Sequence, residues 1–156
     1  MLEINITKGK EILCLRFANV GGLDCIQEHI KILNKSGYVW FGKIGNKPSS
    51  KILNEMIENK FNYILLKEPK KACICQFEVY GDGVPDISEY PNYYNTEILP
   101  TRQFSILFKL TSIIKVNSMS ELDNIVVKSS RSPILETSRK SMNSQFYTIT
   151  TKDINF

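Results

Sequence analysis

The sequence has little of what most enzymes work with. Its 156 residues include one histidine, His29, and one tryptophan, Trp40. A single imidazole leaves no partner for a two-histidine metal site, and nothing near His29 in the chain reads as a nucleophile with an orienting acid. GxSxG, HExxH, a phosphate-binding P-loop and a glycine-rich dinucleotide fingerprint are all missing. The four cysteines, Cys14, Cys25, Cys73 and Cys75, form no CxxC pair and have no histidine at zinc-ligand spacing. They read as buried reduced thiols of a cytoplasmic protein. No apolar run approaches the roughly 18–20 residues of a membrane span. The opening stretch MLEINITKGKEILCLRF lacks the long apolar segment of a signal peptide. The carboxylates Asp82 and Asp86 sit in a loop without a second acidic cluster, and Gly81-Asp82-Gly83 reads as a turn after a strand. The expectation is a protein that is not an enzyme, with no catalytic residue, metal or cofactor.

What is present is enough for a core. Hydrophobic residues make up 42% and aromatics 10%, which fits one compact domain over residues 1–156. Residues 11–18 (EILCLRFA) alternate as a strand, and NVGG then breaks the chain. Leu23, Ile26, Ile30 and Leu33 recur at spacings of three and four, predicting a helix over Leu23–Lys35 closed by Gly37. YVWFGKI follows as a strand. A second helix is predicted over Ser49–Lys60, with Ile52, Leu53, Met56 and Ile57 on its apolar face. NYILL and KKACICQFEVY are the next strands, the latter placing Cys73, Cys75, Phe77 and Val79 on one face. About twenty residues rich in Gly, Pro, Asn and Tyr come next, a length that is usually functional or disordered, and Tyr90, Tyr93 and Tyr94 argue against plain disorder. FSILFKLTSIIKV is the strongest strand signal, with Phe104, Ile106, Phe108 and Leu110 on one face. Ser118–Glu121 has capping-box spacing, and QFYTITT is a last strand. This order implies α+β architecture: a curved, mainly antiparallel sheet or barrel of five or six strands with the helices packed on it.

The remaining features favour binding. Trp40 is flanked by Tyr38 and Phe41 and followed by Gly42 and Gly45. A planar ligand needs aromatic faces, and glycine lets it approach the backbone. Trp40 and the loop tyrosines Tyr90, Tyr93 and Tyr94 could supply two walls; the plainer reading makes Trp40 a core anchor. Cations that suit phosphates cluster late in the chain, at Lys128, Arg131, Arg139 and Lys140, within a net charge of +4.

Three segments together resemble the PUA-like superfamily, especially its EVE-type and YTH-type readers of modified bases. LRFANVGGLDCIQEHIKILNKSGYVWFG is similar to the strand–loop–helix–strand opening of YTH domains. FSILFKLTSIIKVNSMSELDNIV is similar to the family's long strand and capped turn. SPILETSRKSMNSQF is similar to the segment that brings an arginine to nucleic-acid phosphates. The resemblance implies a PUA-like fold that binds nucleic acid, DNA ahead of RNA, and reads a flipped, methylated base. It places Trp40, with Phe41 beside it, on the first wall of the base pocket. Tyr90, Tyr93 or Tyr94 would form the second wall. Arg139 would hold phosphate, with Lys43, Arg131 and Lys140 as further phosphate contacts. The chain departs from YTH domains in having Phe41-Gly42-Lys43 after the tryptophan, and in lacking a second-wall tryptophan. Both departures point to EVE-like prokaryotic domains, which often stand at the front of modification-dependent restriction proteins. A fused or associated nuclease or ATPase is then the implied partner. The alternatives are an RNA-binding PUA or ASCH-type module indifferent to modification, a small ASCH-type enzyme using Lys43 or a loop carboxylate, and a protein-binding domain without a ligand.

Overall fold

A computed structural model describes residues 3–17, 22–82, 87–141 and 143–156. Part of the NVGG break, the end of the first predicted strand, and Gly83 and Asp86 of the long loop lie outside them. Helix α1, Cys25–Ser36, starts where the Asp24 side chain accepts the Gln27 backbone N–H at 3.1 Å. It ends at Gly37, whose φ of +85° is the left-handed closure that glycine adopts at little cost. Ile26 and Leu33 are buried, but Leu23 falls before the helix and is exposed. Helix α2, Ser50–Glu58, is capped by Ser49. Leu53 and Met56 are its fully buried residues; cutting Leu53 back to alanine should cost about 2–5 kcal/mol. Lys60, at a φ of +61°, turns the chain out of the helix.

Among the described residues the main sheet has seven strands, more than the five or six expected. They are β2 (Glu11–Arg16), β3 (Val39–Lys43), β4 (Tyr63–Lys67), β5 (Ala72–Gly81), β6 (Ile106–Lys115), β7 (Ile125–Val127) and β8 (Gln145–Thr150), in the order β3-β6-β5-β4-β2-β8-β7. A small ribbon pairs β1 (Asn5–Ile6) with β9 (Ile154–Asn155). Among the described strands only β2 and β4 run parallel; every other pair is antiparallel. That one parallel pairing requires the crossover made by α1, β3 and α2. Helix α3, Ile134–Lys140, forms in the SPILETSRKS segment, to which periodicity assigned no helix.

The sheet bends. β5 changes register against β6 between Gln76 and Phe77 and again between Phe77 and Tyr80. Such bulges add curvature and interrupt the alternation of faces. This overturns the expected face of β5: Cys73, Cys75 and Phe77 are buried together, while Val79 is turned out to solvent. The bend also brings β3 toward β8. Five strand spacings would separate them by about 24 Å in a flat sheet. Instead the Lys43 ammonium lies 3.1 Å from the Ser144 hydroxyl, and the Ser49 N–H donates to the Tyr147 hydroxyl at 2.9 Å.

Both faces of the sheet are covered. On one, Leu13, Leu15, Ile64, Leu66, Phe77 and Phe108 pack with α1, α2 and the loop tyrosines. On the other, Ile12, Cys14, Leu65, Ile74 and Phe146 pack with Ile134 of α3 and with the β1–β9 ribbon. All four cysteines are free and buried. Ser118 and Glu121 close both arms of the expected capping box.

Candidate anion-binding cavity

The parallel pairing of β2 with β4 sets Arg16 opposite Lys67 at the carboxyl ends of both strands. Alternation puts the two cations on the same face as Cys14 and Leu65, away from Leu15 and Leu66. There they meet the C-terminal end of α3. The Arg16 guanidinium donates to the carbonyls of Ser138 and Ser141 at that helix end. The contact fixes α3 against the sheet and turns Leu135, Ser138 and Arg139 toward β2.

A cavity of about 520 Å³ opens between these elements. Its cations are Arg16, Lys67, Lys70 and Arg139; its apolar lining comes from Cys14, Pro69, Met119, Leu135 and Phe146. No carboxylate is among the described residues that line it. Lys67 is only 9% exposed, and its ammonium donates weakly, at 3.4 Å, to the Glu68 carbonyl. Burial lowers the Lys67 pKa; the nearby Cys14 thiol acts the other way, and the positive charges of Arg16 and Arg139 lower it further. Burial pushes the Cys14 thiol up to about 12, so it is protonated and a poor nucleophile at neutral pH. Glu68 alternates to the opposite face. Its buried carboxylate has a raised pKa, chiefly from desolvation, and is 3.6 Å from Lys71. The site is therefore a partly apolar hollow with concentrated positive charge and no carboxylate among its described lining residues, suited to an anion that carries an apolar or aromatic body.

Of the residues singled out from the sequence, the cavity includes Arg139. Arg131 stands at a φ of +61° in the exposed turn before α3, and the exposed Lys140 pairs with Glu136 at 2.8 Å. Lys43 is buried, and its three N–H groups go to the Ile44 and Asn46 carbonyls and the Ser144 hydroxyl. That full complement makes it a clasp between β3 and β8 in place of a phosphate contact. The aromatic residues are packed as core. Phe41 lies against Phe17 and His29, with ring centroids 5.9 and 5.7 Å apart. Tyr90 stacks on Tyr94 at 5.6 Å, while Tyr93 and Phe104 close on Tyr94 at 4.9 Å each. A stacking wall needs a free face, and Phe41, Tyr90 and Tyr94 have theirs covered by the chain's own rings.

Trp40 is half-buried on the face of β3 opposite Val39 and Phe41, beside Lys109 of β6. The close approach that Gly42 allows is taken up internally. The Phe104 ring lies 2.5 Å from where a Gly42 Cβ would stand. Sequence reasoning missed Arg16, Lys67 and Lys70. The available signal was the charged residue ending each buried strand in its outward phase, in ILCLR and YILLK.

No protein-family model matches the chain, and neither a curated protein nor a solved structure matches it. Among the described residues, no group of three or more His, Cys, Asp or Glu is placed to hold a metal ion, and no helix is long and apolar enough to cross a membrane.

Proposed function

We propose that the protein is a PUA-like nucleic-acid-binding domain whose recognition pocket is the cavity between β2, β4, β8 and α3. On this reading an unstacked, modified base enters the hollow beside Phe146, Leu135 and Met119. Arg16, Lys67, Lys70 and Arg139 hold its phosphate. The observation that carries the reading is the convergence of four cations, without a lining carboxylate, on a partly apolar cavity of about 520 Å³. Its size falls in the range of about 300–1,000 Å³ typical of small-molecule sites. Arg139 is the point where the sequence resemblance and the cavity coincide.

The physics of the task fits these parts. Taking a base out of a duplex costs a few kcal/mol, and phosphate contacts with burial of the base can offset it. A methyl group buried against an apolar wall adds about 0.8 kcal/mol. Trp40 lies outside this cavity, so the reading moves the base site away from the tryptophan.

The test is a binding panel of DNA and RNA oligonucleotides, plain and carrying methyladenine, methylcytosine or hydroxymethylcytosine. The parent chain is compared with Arg139→Ala. Binding that favours one modification and weakens in the variant supports the proposal. Equal binding of plain and modified strands leaves a general nucleic-acid module. Absence of binding to every oligonucleotide at low salt rejects the proposal.

A further inference from the structure

Lys67 is nine-tenths buried, lines the cavity, and has one weak hydrogen bond to its ammonium among the described residues. A buried cation with spare donors is costly unless something anionic meets it. The neighbouring charges make the cost greater. Arg16 stands opposite it in register, and Lys70 and Arg139 line the same hollow. The nearby acids lie outside the lining: Glu136 pairs with Lys140 and also feels the charge of Arg139, while Glu68 and Asp24 pair with Lys71. Four formal positive charges thus face one partly apolar hollow.

An internal phosphodiester brings a single negative charge per group. A phosphate monoester carries about −1.5 to −2 at neutral pH and offers three strong acceptor oxygens. The guanidinium groups of Arg16 and Arg139 present planar donors suited to such oxygens, and Lys67 adds a compact charge in the same cavity. Arg16 already uses one terminal nitrogen on the α3 carbonyls, so its remaining N–H groups keep a fixed direction. The apolar residues Cys14 and Phe146, paired across β2 and β8, provide no groups for a continuing charged backbone.

From these features we infer that the cavity takes a terminal nucleotide through its phosphate monoester, in preference to an internal nucleotide of a continuous strand. This deepens the nucleic-acid reading above and rests on it. A terminal base also separates from its neighbours on one side only, which lowers the cost of unstacking.

The experiment measures affinities of matched oligonucleotides ending in a 5′-phosphate, a 3′-phosphate or hydroxyls alone, beside a nucleoside monophosphate and inorganic phosphate. Melting temperatures are recorded in parallel. The expected result is binding about tenfold tighter for one phosphate-ended strand than for its hydroxyl-ended match. That gain should vanish in Lys67→Met and in Arg139→Ala. The latter replaces an exposed side chain, so it keeps the test valid if the former fails to fold. Inorganic phosphate or the monophosphate raising the melting temperature, with no oligonucleotide bound, supports the monoester site while rejecting the nucleic-acid reading. Equal affinity for phosphate-ended and hydroxyl-ended strands overturns the inference and leaves that reading in place.

Discussion

His29 and Tyr94 are joined by a buried hydrogen bond, with 2.6 Å between the imidazole Nε2 and the phenolic oxygen. The other ring nitrogen, Nδ1, lies 2.8 Å from the Cys25 carbonyl, which can only accept. The proton therefore sits on Nδ1, Tyr94 donates to Nε2, and the Tyr94 oxygen accepts the Gly42 N–H at 3.1 Å. This chain ties α1, the tyrosine loop and β3 together. It explains why the one histidine lies on the buried side of α1: it is a satisfied core residue.

Burial lowers the His29 pKa to about 4, against smaller opposing contributions from the Cys25 carbonyl and Glu28. The unfolded chain takes up the proton near pH 6.5, while the folded chain resists until about pH 4. The stabilisation is therefore complete above pH 6.5 and lost as pH falls toward 4, by roughly 3 kcal/mol. Urea unfolding across this range should show the fall, and His29→Leu should flatten that part of the profile. An unchanged slope in the variant would assign the pH dependence to other groups.

Gly42→Ala should destabilise the fold by about 1–3 kcal/mol, because the new methyl group meets the Phe104 ring. Combined with Phe104→Ala, its cost should shrink, giving a clear coupling in a double-mutant cycle. Additive costs would show that the ring is not what excludes a side chain at Gly42.

Lys43→Met and Arg139→Ala should separate stability from binding. The first leaves the Ile44 and Asn46 carbonyls without their donor and should cost about 1–3 kcal/mol in denaturant unfolding. Its folded fraction should bind oligonucleotides as the parent does. The second should melt close to the parent and bind more weakly. A reversal of the two results would restore Lys43 to the ligand site.

The elements were legible where one period dominated. The stripe of Ile26, Ile30 and Leu33 and the closing Gly37 defined α1, and the Ser118–Glu121 spacing marked the capped turn after β6. Alternation failed at Val79 because a bulge depends on the fit between β5 and β6, which neither strand specifies alone. Helix α3 went unread because seven residues hold too few turns for a period to emerge. The site was harder still. Arg16 and Lys67 are brought together by a parallel pairing across two helices and a strand, so no local window contains both. Three tyrosines in one loop argue against disorder, yet aromatic content alone does not distinguish a ring that meets a ligand from one that meets His29.

Because Trp40 is the only tryptophan and lies outside the cavity, its emission reports on β3 alone. Saturating the protein with its preferred oligonucleotide should change that emission little. A large, saturable change would return the base site to Trp40.

The central claim is that Arg139 and Lys67 hold phosphate at the cavity beside α3. Its most direct measurement is oligonucleotide affinity against salt concentration for the parent, Arg139→Ala and Lys67→Met. The account predicts weaker binding in both variants and a salt slope reduced by about one phosphate contact in each. Parent-like affinity and slope in both variants, with the fold intact, would contradict it.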